Sequence, residues 1–216
     1  MEDVIYKDDD SQSVGSNLLP FEIQYHKDSK FLMILDNYVN FIKGCERFIR
    51  RSNDYNHYVA TLKELGFTHC QVLGNIDSSM GEPGHDVSVE MHHGPIFTLF
   101  DYCACIVSHM IKHNKKVNTP KVSKIIMDEH WNGNIQTVML STSVHQAVDS
   151  GKLFINLNQA FGNLNQFIKK YEDGLTEHQK GKINKYIQLS KKYKSTDNGI
   201  FDLQETMHSW TKKRLR

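Results

Sequence analysis

The sequence predicts an α+β fold in which a small ββα hairpin-helix unit, carrying a candidate metal site, is embedded in a mainly helical domain. Three observations predict it. Long segments place apolar residues three and four apart, the spacing of a helix with one buried face. Residues 86–91 instead alternate Val87, Val89 and Met91 against Asp86, Ser88 and Glu90, the period of a half-buried strand. A second apolar run, residues 135–140, leads straight into a short helical stretch carrying His145 and Asp149.

Taken in order, residues 1–20 are polar and read as an arm, with a short strand expected around residues 21–25. Phe31, Ile34, Leu35, Tyr38, Phe41, Ile42 and Cys45 mark an amphipathic helix running to Ser52. Asp54 is expected to cap a second helix over residues 56–65, with Leu62 and Leu65 inward and Gly66 ending it. Residues 68–73 are β-prone and 74–84 turn-rich. The alternating strand then delivers His92 and His93, and Gly94-Pro95 turns the chain.

Ile96, Phe100, Cys103, Val107, Met110 and Ile111 form the apolar stripe of the next helix. Another opens at Thr119-Pro120, where proline suits a first turn, and gives way at Asn132-Gly133-Asn134. After the run 135–140, either Ser141 or Ser143 caps the helix holding His145, the latter in a capping box with Gln146, and Gly151 ends it. A strand over residues 153–157 and two closing helices follow. The first covers residues 158–171, and the second starts at Thr176 with Gln179 completing a capping box. The division expected is an arm (1–20), a helical region (21–85), the ββα region (86–156) with a helical insertion (96–131), and C-terminal helices with a basic tail (157–216).

Composition narrows the function classes. The 216 residues are 39% hydrophobic with a formal net charge of +1, which describes a soluble globular chain without a global electrostatic case for nucleic acid. No apolar run approaches the roughly 18–20 residues of a membrane span, and the acidic start argues against a secretory signal. The four cysteines, Cys45, Cys70, Cys103 and Cys105, lack metal-knuckle spacing and fit packing positions in a reducing, cytoplasmic compartment. Lys191, Lys192, Lys194, Lys212, Lys213, Arg214 and Arg216 make the end basic, either to hold phosphates or simply as a solvated face.

His145 and Asp149 lie four apart on the predicted helix and so share a face, where imidazole and carboxylate can take one divalent ion. His92 could supply a third ligand from the strand. His93 would then point the other way and act on water, a role that suits a side chain titrating near neutral pH. Asp128-Glu129-His130 is expected to face solvent, because adjacent helical residues diverge. His109 and His113 are also four apart but have no evident third ligand.

Glu90-Met91-His92-His93, a return strand over residues 135–140, and His145-x-x-x-Asp149 together resemble the HNH (His-Me finger) nuclease motif across roughly residues 86–151. The connection of some forty residues between the halves is longer than in many family members, and the bracing cysteines are absent. Carried over residue by residue, the resemblance implies His93 as the base and Asn134, or Asn132, as the asparagine that orients it. His92, His145 and Asp149 are the implied ligands of a divalent ion, magnesium or manganese before zinc. It further implies a phage-encoded endonuclease acting on nucleic acid, double-stranded DNA ahead of RNA, in the host cytoplasm and without a membrane partner. The competing expectation is a non-catalytic helical interaction protein, a viral assembly or host-takeover factor whose histidines are incidental.

Overall fold

The computed structural model describes residues 29–80 and 88–193. The expected arm, the strand at 21–25 and the basic end beyond Tyr193 lie outside the described residues. What is described is mainly helical with one two-stranded antiparallel sheet, an α+β fold.

Helix α4 (Leu99–Lys112) forms the centre. Its sequence is apolar on nearly every side, and Leu99 and Tyr102 to Val107 are all buried, as expected of a helix surrounded by other elements. Thr98 and Asp101 close its N-terminus in a reciprocal capping box. The buried Asp101 carboxylate also accepts from Lys182 Nζ at 2.7 Å, and Gln179 Nε2 donates to the Asp101 carbonyl at 2.6 Å. Those two bonds tie α8 (Glu177–Lys192) to the start of α4. The Thr176–Gln179 capping box at the head of α8 forms as the sequence predicts.

Around α4 pack α2 (Leu35–Arg51), α5 (Thr119–Trp131) and α7 (Leu164–Tyr171). Helix α2 buries Phe41, Ile42, Cys45 and Ile49. The stripe predicted upstream of it does not continue: a short α1 (Ser29–Leu32) breaks off, and Ile34 and Leu35 are exposed. Helix α3 (Asn53–Glu64) begins earlier than expected, because Ser52 rather than Asp54 caps it, accepting from the Tyr55 amide. Asp54 instead accepts from the Trp131 indole at 2.9 Å.

Strand β1 (Val89–His93) pairs with β2 (Thr137–Ser141) in a register that sets Glu90 opposite Leu140 and His92 opposite Val138. The helical segment between them does not separate them, because α4 and α5 fold back into the core. Strand β2 is buried along its whole length. Its far edge is covered by loops: Gln71 brackets Met139 with two hydrogen bonds, and Thr137 and Phe161 exchange amide-carbonyl bonds at 2.9 Å. Segment 68–73, expected as a strand, therefore serves as irregular edge cover, and residues 153–157, also expected as a strand, join it in a second small cluster with Val138, Leu140 and Val144. Helix α6 (Thr142–Asp149) follows β2 without a loop. Ser141 stands at its N-cap position without a side-chain cap bond, and Gly151 ends it at φ 70°. Helix α7 starts at Leu164, later than expected, because residues 157–159 form a separate 3₁₀ turn.

Gly162 holds the edge cover in place. It sits at φ 96°, and a Cβ there would come within 2.1 Å of the Ile135 carbonyl oxygen. Gly162→Ala is expected to cost on the order of 2–4 kcal/mol, because strain and a backbone clash add. Gly181→Ala, in open space within α8, is expected to gain roughly 0.5–1 kcal/mol. Urea-unfolding midpoints of the two variants check the contrast.

Candidate functional site

The alternation of β1 runs one residue pair further than the sequence reading took it. The two histidines lie within the strand, so Val89, Met91 and His93 share the core face while Glu90 and His92 share the other. That parity sends His92 and His93 to opposite faces.

On the outer face, His92 meets the first turns of α6. His92 Nδ1 lies 2.9 Å from His145 Nε2, and His145 Nε2 lies 3.5 Å from Asp149 Oδ2. One ligand atom from each of the three falls within 4.8 Å of the others. The i, i+4 spacing on α6 and the absence of a loop after β2 bring this about, since the helix starts directly above the strand pair. Glu90, on the same face two residues before His92, reaches His145 Nδ1 at 3.2 Å. A proton on Nδ1 facing that carboxylate leaves Nε2 with its lone pair toward His92 and Asp149. Glu90 was legible only as the outward residue of the alternating strand, and its role follows from where α6 lands. Burial, and then the neighbouring His145, hold the His92 ring below the usual histidine range, so it favours the neutral, ligand-competent form.

On the inner face, His93 is 3% exposed and its Nε2 lies 3.0 Å from His130 Nε2. His130 Nδ1 lies 2.8 Å from the Ile126 carbonyl, which can only accept, so that nitrogen carries the proton. His130 Nε2 then accepts from His93 Nε2, and the bare His93 Nδ1 is left buried with no hydrogen-bond partner. The Tyr55 ring stacks along His93, and Tyr58 meets His130 edge-on. Desolvation pushes His93 well below the usual range and His130 down to about 4. The histidine cast as a water-activating base is thus turned away from the outer cluster into the core.

Asn134 does not reach His93. Its side-chain amide donates to Glu129 at 2.6 Å, and Asn132 is exposed at the end of α5. The expectation that Asp128-Glu129-His130 faces solvent holds for Asp128, which pairs with Lys124 at 2.8 Å, and fails for its neighbours. Glu129 and His130 are each 1% exposed, because Tyr171 of α7 meets Glu129 while Tyr55 and Tyr58 of α3 and His93 of β1 enclose His130. Glu129 also accepts from the Tyr171 hydroxyl at 2.6 Å and from Lys170. Burial raises its pKa, and the three donors outweigh that and lower it overall.

The buried imidazole pair makes acid sensitivity calculable. Both groups bind protons more readily when unfolded, so their contribution is complete above pH 6.5 and is lost as pH falls toward 4. His130 alone accounts for roughly 3 kcal/mol over that window, and His92 adds in the same sense. Melting temperature is expected to fall steadily below pH 6.5. Ring-carbon NMR shifts at pH 5.5 should show a neutral His130, and protonation near 6.5 would contradict the arrangement.

Among the described residues no helix is long and apolar enough to cross a membrane. No curated protein and no solved structure matches the chain. One family does match, over residues 4–211, and it is not the nuclease family that the paired histidines resemble. The extent of that match, nearly the whole chain, makes this protein a member of the bacteriophage G278-like virion protein family.

Proposed function

We propose that this chain is a non-catalytic component of a phage particle. On this reading its helical body serves assembly or attachment, and His92, His145 and Asp149 hold a divalent ion that fastens α6 to the strand pair. The observation that carries the reading is the family match over residues 4–211. The buried His93 supports it, since a hydrolytic site on this hairpin would lack that base at its outer face.

The donor set fits an ion. In tetrahedral zinc sites with bonds of about 2.0–2.1 Å, ligand atoms sit roughly 3.4 Å apart. The His145–Asp149 separation of 3.5 Å is already there, and the His92–His145 contact of 2.9 Å needs to open by about half an ångström. Two imidazoles and one carboxylate suit zinc or manganese better than magnesium, which prefers oxygen. The ion would supply a cross-link between β1 and α6. Glu90 would fix the His145 tautomer, as carboxylates behind metal-bound histidines do.

A second reading, metal-dependent cleavage of nucleic acid, is favoured by one observation: His92, His145 and Asp149 converge on an accessible face of a ββα unit. The two readings separate by experiment. In the virion role, peptide mass spectrometry of purified particles detects the chain, and the protein leaves plasmid intact with Mg²⁺ or Mn²⁺. Metal-dependent nicking that disappears in His145→Ala would replace the assembly reading with the hydrolytic one. For the ion itself, His145→Ala is expected to lose one equivalent of zinc after dialysis, and Glu90→Gln to bind it about 10–100-fold more weakly.

A further inference from the structure

Helix α4 ends beside the 3₁₀ turn Glu172–Gly174. His109 and His113 project from the last turn of α4 and the residue after it, four apart, with ring centroids 4.4 Å from each other. From sequence this pair lacked a third ligand. The turn supplies one: Asp173 Oδ1 lies 2.7 Å from His109 Nδ1, and Asp173 Oδ2 lies 2.7 Å from His113 Nε2. The three donor atoms fall within 4.8 Å of one another.

We propose that His109, His113 and Asp173 form a surface site for a borderline transition ion, zinc or its nickel and cobalt analogues. Two imidazoles and a carboxylate are the nitrogen-rich donor set those ions select over magnesium or calcium. Without an ion, each imidazole donates a proton to a different carboxylate oxygen. Ion binding displaces those protons, and three protein ligands leave a coordination position for water or for a side chain from a partner.

Three features hold the ligands in place. Asp173 is fixed by its neighbour, because Gly174 lies so close to α4 that a Cβ would stand 2.3 Å from the Cys105 carbonyl oxygen and 2.9 Å from the His109 Cβ. The His109 ring packs edge-on against Tyr171 at 5.3 Å, which restricts its rotation. Lys112 donates to the Asp173 backbone carbonyl, securing the turn but adding a positive charge that opposes a bound dication. This site shares no residue with the one formed by His92, His145 and Asp149, and the inference does not depend on the proposed virion role.

The experiment uses the full chain and zinc alone. A His145→Ala background removes the outer-face cluster, so that failure at one site is not mistaken for failure at the other. Equilibrium dialysis with elemental analysis is expected to find one equivalent of zinc in that background. His113→Ala, a truncation at a half-exposed position past the helix end, is expected to weaken binding at least about 100-fold, since losing even a supporting partner costs roughly 10–100-fold. Asp173→Asn, which keeps the turn's size, should act the same way. Melting curves without zinc show that both variants remain folded. If the His145→Ala chain binds no zinc, or binds it unchanged after both substitutions, the site does not exist.

Discussion

The parity of β1 is the constraint on which the local chemistry depends. Adjacent residues of a strand point to opposite faces, so neighbouring histidines cannot serve one site. The pairing of Val89 with Ser141 through His93 with Thr137 fixes which histidine goes where. A slip of one residue would exchange the faces, putting His92 among Tyr55, Tyr58 and His130 and leaving His93 beside α6. The register resists that slip because Val89 and Met91 must go inward with His93. Strand β2 is in turn held on its other edge by Gln71 and Phe161.

Those edge contacts extend a two-stranded ribbon that would be marginal by itself. The ribbon is a thin layer against a helical body whose centre, α4, is buried nearly all round. Tyr102 of α4 accepts a hydrogen bond from the Gln136 amide at 3.0 Å, anchoring the approach to β2. The segment between the strands is thus the part of the molecule that the strands rest on.

Histidine chemistry here is divided by environment. The His93–His130 pair is desolvated and neutral, with one proton chain ending on the Ile126 carbonyl. The outer cluster and the His109–His113 pair each combine two imidazoles with a carboxylate near water. An imidazole in the first setting is a packing group with an acid-dependent cost. In the second, the facing carboxylate sets which ring nitrogen carries the proton.

Local pattern was enough to place the helices that open at Thr119-Pro120 and at Thr176 with Gln179, the two strands to within two or three residues, a helix directly after the second strand, and the i, i+4 partnership of His145 with Asp149. Propensity, period and cap chemistry are all short-range, and each acts within a turn or a strand. Tertiary structure alone decided the rest. Whether segment 68–73 becomes a strand depends on a β2 edge far away in sequence, where Gln71 alone bonds Met139. Burial of Glu129 and His130 depends on α7 and α3 packing on α5. Asn134 donates to Glu129, whose carboxylate also receives Tyr171 and Lys170 from α7. Asp173 completes a donor set with His109 across sixty-four residues, and no spacing rule reaches that far. The alternation that placed His93 in the core was legible in Val87, Val89 and Met91, but only the pairing partner showed that the strand extends through His93.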